Sequence, residues 1–467
     1  MSQLSGGEKW GYAIGNIPYA VKDAAFINFV VFYYTQVLGI SGTLAGLAML
    51  IALSWDAITD PLVGSWSDTV RSRWGRRHPL MLLGGLPAAL MFLLLFNPPS
   101  ELNEFQVFLW LLFTAIAMRT FLTINYIPYQ AMGAELSTDY DQRTVIAKSR
   151  VTVSWIAGIV LPAFTYIVIF QASGETDGRL IAENYHYYGV LSCVLALVAL
   201  AICLWGTRSA IPRLPQADSD RPPFRISQAI TDFTRAASNR NFRVSIGTKL
   251  AFGVCAGTTV TLSLYMGTYF WEFSTIELAG LSIPTFLGTL TAFVSIHRLG
   301  QRFDKPRLIA ALCLIFFFNS LWFIGARLLD LLPENGHPLI YLLQLLSTFI
   351  SIYTVVCVQI LSASLLADIL DEQEVATGLR QEGVFFGASA FVYKATTGLG
   401  NFIGGVAIDL AGLQPGTAPD AASDSSLITL GLIAGPGISV GILVAWYFAT
   451  RIRLSRAQVN ELRAQLA

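Results

Sequence analysis

Charge is what this chain has least of. Only 13% of its 467 residues are Asp, Glu, Lys or Arg, against about 25% in ordinary soluble domains, which excludes a water-soluble fold. Paired cysteines are missing as well. Cys193, Cys203, Cys255, Cys313 and Cys357 all fall inside apolar runs without paired spacing, so neither a disulfide framework nor a thiolate metal site is indicated, and they read as small buried hydrophobes. Histidine is confined to loops and span ends, at His78, His186, His297 and His337, which weighs against a relay of mid-membrane imidazoles. The start of the chain has no basic stretch ahead of a cleavable apolar core, so the first apolar run is expected to remain in the mature protein.

What is abundant is apolar sequence: 54% of residues are hydrophobic. Twelve runs reach the length of about 20 residues needed to cross a bilayer. They cover residues 11–38, 43–66, 79–97, 105–131, 146–172 and 184–206, then 245–271, 275–296, 306–328, 337–366, 382–411 and 425–450. The expected fold is an all-α membrane protein of twelve transmembrane helices in two six-helix halves. Residues 1–206 form the first half and 245–450 the second. Residues 207–244, with Pro212, Pro215, Pro222 and Pro223 among many Arg, form a cytoplasmic linker, and 451–467 a cytoplasmic surface tail. Arg179 and Arg327 fall at the loops placed outside, and Lys22, Arg119 and Lys394 lie within spans. The remaining basic residues crowd the alternate loops, which predicts both termini in the cytoplasm. The short outer loops fit a bacterial inner membrane.

The scarce charges within spans carry the functional signal. Asp56 and Asp60 lie four residues apart in one apolar run, so both carboxylates share a helix face within reach of one cation. A charge at bilayer depth is costly and usually faces a cavity or a partner. At about 1.5 Å rise per residue, Asp23, Asp56, Arg119 and Lys394 fall in a common layer near mid-span, where transporters keep substrate and ion sites. The alternative is structural pairing of the acids with Lys22, Arg119 and Lys394. Lys22, adjacent to Asp23, is expected to snorkel or pair elsewhere, because neighbouring residues do not face each other on a helix. Arg119, Thr123 and Tyr126 follow i, i+4, i+7 and share a face. Thr123 offers a hydroxyl to an ion, and Tyr126 offers a ring face and a hydroxyl to a sugar or headgroup. Pro128 is expected to kink that span. Lys394 sits in a span rich in glycine, which permits close packing.

Gly64, Asp68, Gly75, Arg76 and Arg77 follow the Gly-x-x-x-Asp and Gly-Arg-Arg pattern of the loop after the second span in the major facilitator superfamily, and residues 299–308 echo it in the second half. The segment Trp55-Asp-Ala-Ile-Thr-Asp-Pro61, running on to Arg71-Ser-Arg-Trp-Gly75, resembles the melibiose permease-like, glycoside–pentoside–hexuronide:cation symporter family. Lys22-Asp23, Tyr33-Tyr34-Thr35, Pro128-Tyr129, Arg150, the acidic loop 368–382 with Gly383, and Lys394 extend the likeness through most of the chain. The resemblance implies Asp56 and Asp60 as cation ligands with Thr123 assisting, and Asp23 as acceptor of sugar hydroxyls. It further implies Arg150 as a lining residue and Lys394 as a link to the second half. The family's sugar-carrying pattern has an aspartate at Tyr126 and a tryptophan at Gln130, so those two positions are where this chain's substrate site departs.

The expectation is therefore a non-enzymatic, cation-coupled symporter of a sugar, glycoside or uronide, using Na⁺ or H⁺. Substrate contacts are assigned to Asp23, Lys22, Arg119, Tyr126, Gln130, Arg150 and Lys394. Beyond a Na⁺ between Asp56 and Asp60 no metal or cofactor is expected. The partners are a small-molecule substrate and the bilayer, with no nucleic acid, and the chain is expected to be a monomer. An anionic or lipid-like substrate such as a lysophospholipid is the alternative, since Arg119 suits an anion. A channel, a non-transporting sensor and a membrane-embedded enzyme are rivals of other classes; the last would need a nucleophile–base pair or metal constellation.

Overall fold

The computed structural model describes residues 5–137, 139–174, 176–214, 237–378 and 382–466. Linker residues 215–236, including Pro215, Pro222 and Pro223, lie outside the described residues, as do residues 379–381 of the acidic stretch and Ala467 of the tail. Regular structure among the described residues is helical apart from one isolated bridge between Ser173 and Thr176. Ten of the described helices are long and apolar enough to cross a membrane. Phe113, Val294 and Val440 are more than 60% exposed. Such apolar exposure is costly in water and expected against acyl chains.

The two remaining apolar runs depart from the expected pattern. The run at 11–38 is not one helix but Gly6–Ile14, Ile17–Asn28, Val30–Phe32 and a π-helical turn at Tyr33–Val37. Gly15 and Asn16 end the first piece, and Pro18 sits in the first turn of the next, where its missing N–H costs nothing. Phe29, at φ −122°, interrupts it again. The run at 382–411 is one helix, Glu382–Ala411, with Lys394 and Asp409 inside it, and it is not among those ten.

Two further boundaries move. The helix Arg240–Tyr265 begins inside the stretch read as linker, because Asn239 caps it, accepting from the Phe242 amide at 2.9 Å. The acidic loop expected at 368–382 is helical as far as Thr377, the end of a 40-residue helix that starts at Pro338. Asp368, Asp371 and Glu372 lie on one face of it, where Lys305, Arg463 and Asn241 meet them. Gly378, at φ +69°, then takes the left-handed turn that ends it.

The chain forms two compact units, Met1–Phe224 with Gln414–Ala418, and Arg225–Leu413 with Pro419–Ala467. In the first, Gly42–Thr69 and His78–Leu95 pack on Glu104–Glu135, which continues through Pro128 as one 32-residue helix. In the second, Arg240–Tyr265 packs along Glu382–Ala411, and Lys305–Leu328 along Pro338–Thr377.

Candidate functional site

The charged layer of the first unit is assembled by two neighbouring helices. On Gly42–Thr69, Asp56 and Asp60 stand one turn apart; on Glu104–Glu135, Arg119 and Thr123 do the same. The four meet in register. Arg119 Nη1 lies 2.6 Å from Asp56 Oδ2, and Thr123 Oγ1 donates to Asp60 Oδ1 at 3.0 Å. Asp56 and Arg119 are 7% and 5% exposed, so this ion pair is desolvated, a setting in which removing either partner strands a buried charge. The Arg119 guanidinium also lies 4.8 Å from the Phe26 ring, a cation–π contact. Thr59, between the two acids, turns its hydroxyl to the Trp55 carbonyl at 3.1 Å, and Trp55 Nε1 donates to Thr120 at 2.8 Å, pinning the same two helices together.

The sequence gives no hint of the next layer, which is aromatic. Tyr19 stacks on Tyr126 with ring centroids 4.0 Å apart, Tyr126 stacks on Tyr129 at 5.9 Å, and Tyr129 on Tyr12 at 4.6 Å. The Tyr19 hydroxyl lies within electrostatic reach of Asp23, Arg119 and Asp56, and so joins the aromatic row to the charges. Gln130 and Arg150 border Tyr126, and Arg150 also reaches toward Tyr12. Lys22 corrects the expectation that it would pair away from its neighbour: its Nζ lies 2.5 Å from Asp23 Oδ1 and 4.0 Å from the Tyr19 ring centroid. The adjacency rule concerns where Cβ atoms point, and a four-carbon stem is long enough to bend back. The Lys22 side chain is 6% exposed and that of Asp23 45%, so the lysine is the sequestered partner and the aspartate keeps an open side.

The loop of Gly64, Asp68, Gly75, Arg76 and Arg77 gains a member that the motif does not name. Glu135, at the end of Glu104–Glu135, accepts from Arg76 at 2.7 Å and from Arg77 at 2.6 Å, while Asp68 pairs with Arg77 at 2.7 Å. Ser67 takes a second Arg77 nitrogen. Gly75, at φ +74°, makes the turn that brings the arginines back. Gly64 faces Ile127 at ordinary contact distance.

Lys394 lies in the second unit, on Glu382–Ala411. Among the described residues, no group of three or more His, Cys, Asp or Glu side chains could hold a metal. The oxygen donors of Asp56, Asp60 and Thr123 suit a hard monovalent cation or a proton.

The sequence profile of the family described as MFS/sugar transport protein matches residues 11–456. The putative glycoside/cation symporter YagG of Escherichia coli (strain K12) is 26% identical, over 87% of this chain and 83% of its own length. The sodium-dependent lysophosphatidylcholine symporter 1-A of Danio rerio is 22% identical, over 97% of this chain and 87% of its own. Among solved structures, the inward-open xylose transporter XylE from E. coli has the same fold, with a TM-score of 0.61 at 14% identity, covering 98% of each chain.

Proposed function

The chain belongs to the MFS/sugar transport protein family, and from that premise we propose that it is a cation-coupled secondary symporter carrying a sugar, glycoside or uronide by alternating access. One observation carries the reading: Asp56 and Asp60 face Arg119 and Thr123 across a single helix–helix contact. Two carboxylates one turn apart repel, and in this arrangement Arg119 neutralises one of them. A Na⁺ or H⁺ entering between Asp56 and Asp60 supplies the same neutralisation and releases the guanidinium. Arg119 and the coupling cation therefore compete for Asp56.

A ligand shifts a conformational equilibrium by its differential affinity for the two states, so the ion favours the state in which Arg119 has left. Substrate binds at the open side of Asp23 and against the Tyr126 ring, with Gln130, Arg150 and Lys22 around it. Cation and substrate then tighten each other's binding by the same factor. No prosthetic group enters this scheme. The chain works as a monomer in the cell membrane with both termini cytoplasmic.

The D. rerio relative makes a lysophospholipid the second substrate class. A thermal-shift screen of sugars, uronates and lysolipids, each with and without NaCl, separates the two classes. The coupling reading is tested by Asp56→Asn in membrane vesicles. Gradient-driven accumulation is expected to fall to background, and wild-type accumulation in this variant overturns the assignment.

A further inference from the structure

The first unit has a tight helix crossing at the membrane face where the chain begins. A Cβ on Gly11 of Gly6–Ile14 would meet Gly206 Cα at 2.9 Å. Ser209, just past the end of Ala182–Gly206, donates to Glu8 at 2.8 Å, and Gly15 in turn faces Cys203, so the two helices run antiparallel. In an antiparallel pair the residue before each contact glycine turns to the same side, about 100° from the contact. Those residues are Trp10 and Trp205, 56% and 68% exposed. Tyr12 and Thr207, which follow the glycines, turn the other way and are buried.

Each of these indoles carries a cation on its ring. Lys9 Nζ lies 5.6 Å from the Trp10 ring centroid, and the Arg208 guanidinium carbon 4.8 Å from that of Trp205. Among the described residues neither Lys9 nor Arg208 has an acid partner, and neither indole N–H has an acceptor, whereas Trp55, Trp110 and Trp322 donate theirs within the protein. The acid close by, Glu8, is buried, its carboxylate taken up by the Ser5 amide, Ser209 and Arg213. The face is therefore positive. Trp205 is the last residue but one of a helix long and apolar enough to cross the membrane, which sets both indoles at the level of the lipid headgroups. What covers a face at that depth is lipid, and two cations without a counter-charge select an acidic headgroup.

We propose that Lys9, Trp10, Trp205 and Arg208 form a binding site for one anionic phospholipid of the adjoining leaflet. Its phosphate meets the two cations and the indole N–H groups, and its acyl chains lie along the indole rings. The lipid thereby ties a nine-residue helix, separated from its continuation by Gly15 and Asn16, to the end of a 25-residue one. This site is independent of the solute carried.

The test is native mass spectrometry of the full chain released from detergent micelles, titrated with dioleoylphosphatidylglycerol or dioleoylphosphatidylcholine. Wild type is expected to retain phosphatidylglycerol with about tenfold or greater preference over phosphatidylcholine. A basic residue at an anionic membrane surface changes affinity by about fivefold. Lys9→Gln and Arg208→Gln should therefore each weaken phosphatidylglycerol binding about fivefold, and the double variant about 25-fold. Arg451→Gln, which removes a cation lying over Tyr447 in the second unit, should leave that binding unchanged and controls for net charge. Should a variant fail to fold, the wild-type preference alone decides. Equal wild-type affinity for the two lipids, undiminished binding by the double variant, or a loss in Arg451→Gln as large as in Lys9→Gln and Arg208→Gln overturns the site.

Discussion

The two units each carry a short basic loop after their second apolar run, and they secure it differently. In the first unit the loop closes on its own helices: Arg76 and Arg77 reach Asp68 and Glu135, and the Arg77 side chain is 3% exposed. In the second, Lys305 meets Asp368, and the cluster is completed from the chain's end. There Arg463 reaches Asp368 at 3.1 Å and Asp371 at 3.2 Å, with its side chain 57% exposed. The Arg456 amide donates to Asp304 at 3.0 Å, and its guanidinium reaches the carbonyls of Gly300 and Gln301. Similar charges thus give a sequestered clamp in one unit and a solvent-facing strap in the other. Desolvation decides the difference: a buried pair is strongly destabilised by losing a member, whereas an exposed pair is screened and contributes little.

The largest effect expected from this contrast is that of Glu135→Ala. Removing one partner from a buried cluster costs about 3–5 kcal/mol, so thermal stability in detergent and uptake in cells should both fall sharply. Arg463→Ala should cost about 1 kcal/mol or less, since Asp368 keeps Lys305; melting temperatures of the two variants measured side by side give the comparison. Equal losses would break the distinction between clamp and strap.

The smallest effect concerns Glu8, near the start of the first unit. Burial raises its carboxyl pKa, but the Ser5 amide, Ser209, Arg213 and the Ser5 hydroxyl outweigh that and hold it below its ordinary 4.5. A depressed folded pKa contributes stability that is present above the unfolded value and lost as pH falls through the folded one. The Glu8→Gln variant and wild type should therefore differ in melting temperature at neutral pH and converge below about pH 4.5. A constant difference down to pH 3 would mean that the Glu8 charge is not what Arg213 and the serines hold.

Much of the architecture was legible because the apolar runs are long and the charges inside them few. The meeting of Asp56 and Asp60 with Arg119 and Thr123 follows from two spacings of four residues on neighbouring helices. Glu135 was not legible. It lies 58 residues from Arg77 in the chain, and nothing local marks a glutamate at a helix end as part of a loop cluster. Tyr19 looked like one more aromatic in an apolar run, and only its stack on Tyr126 distinguishes it. The breaks in the first run were written in Gly15, Asn16 and Pro18, yet hydropathy averages over such punctuation.

The helix Pro338–Thr377 has a mechanical consequence of its own. Forty residues at about 1.5 Å each make a rod of about 60 Å, roughly twice the hydrocarbon thickness it crosses. Its apolar run ends at 366, so the last eleven residues, about 16 Å, stand clear of the acyl chains, and that projecting arm carries Asp368, Asp371 and through them the terminal helix Arg456–Leu466. A rigid rod is a lever: a tilt of about 10° within the bilayer swings the far end of an arm of about 16 Å by about 3 Å. The end of the chain thus rides on the long arm, where small rotations at the membrane become displacements large enough for a fluorescent label at Ala464 to register.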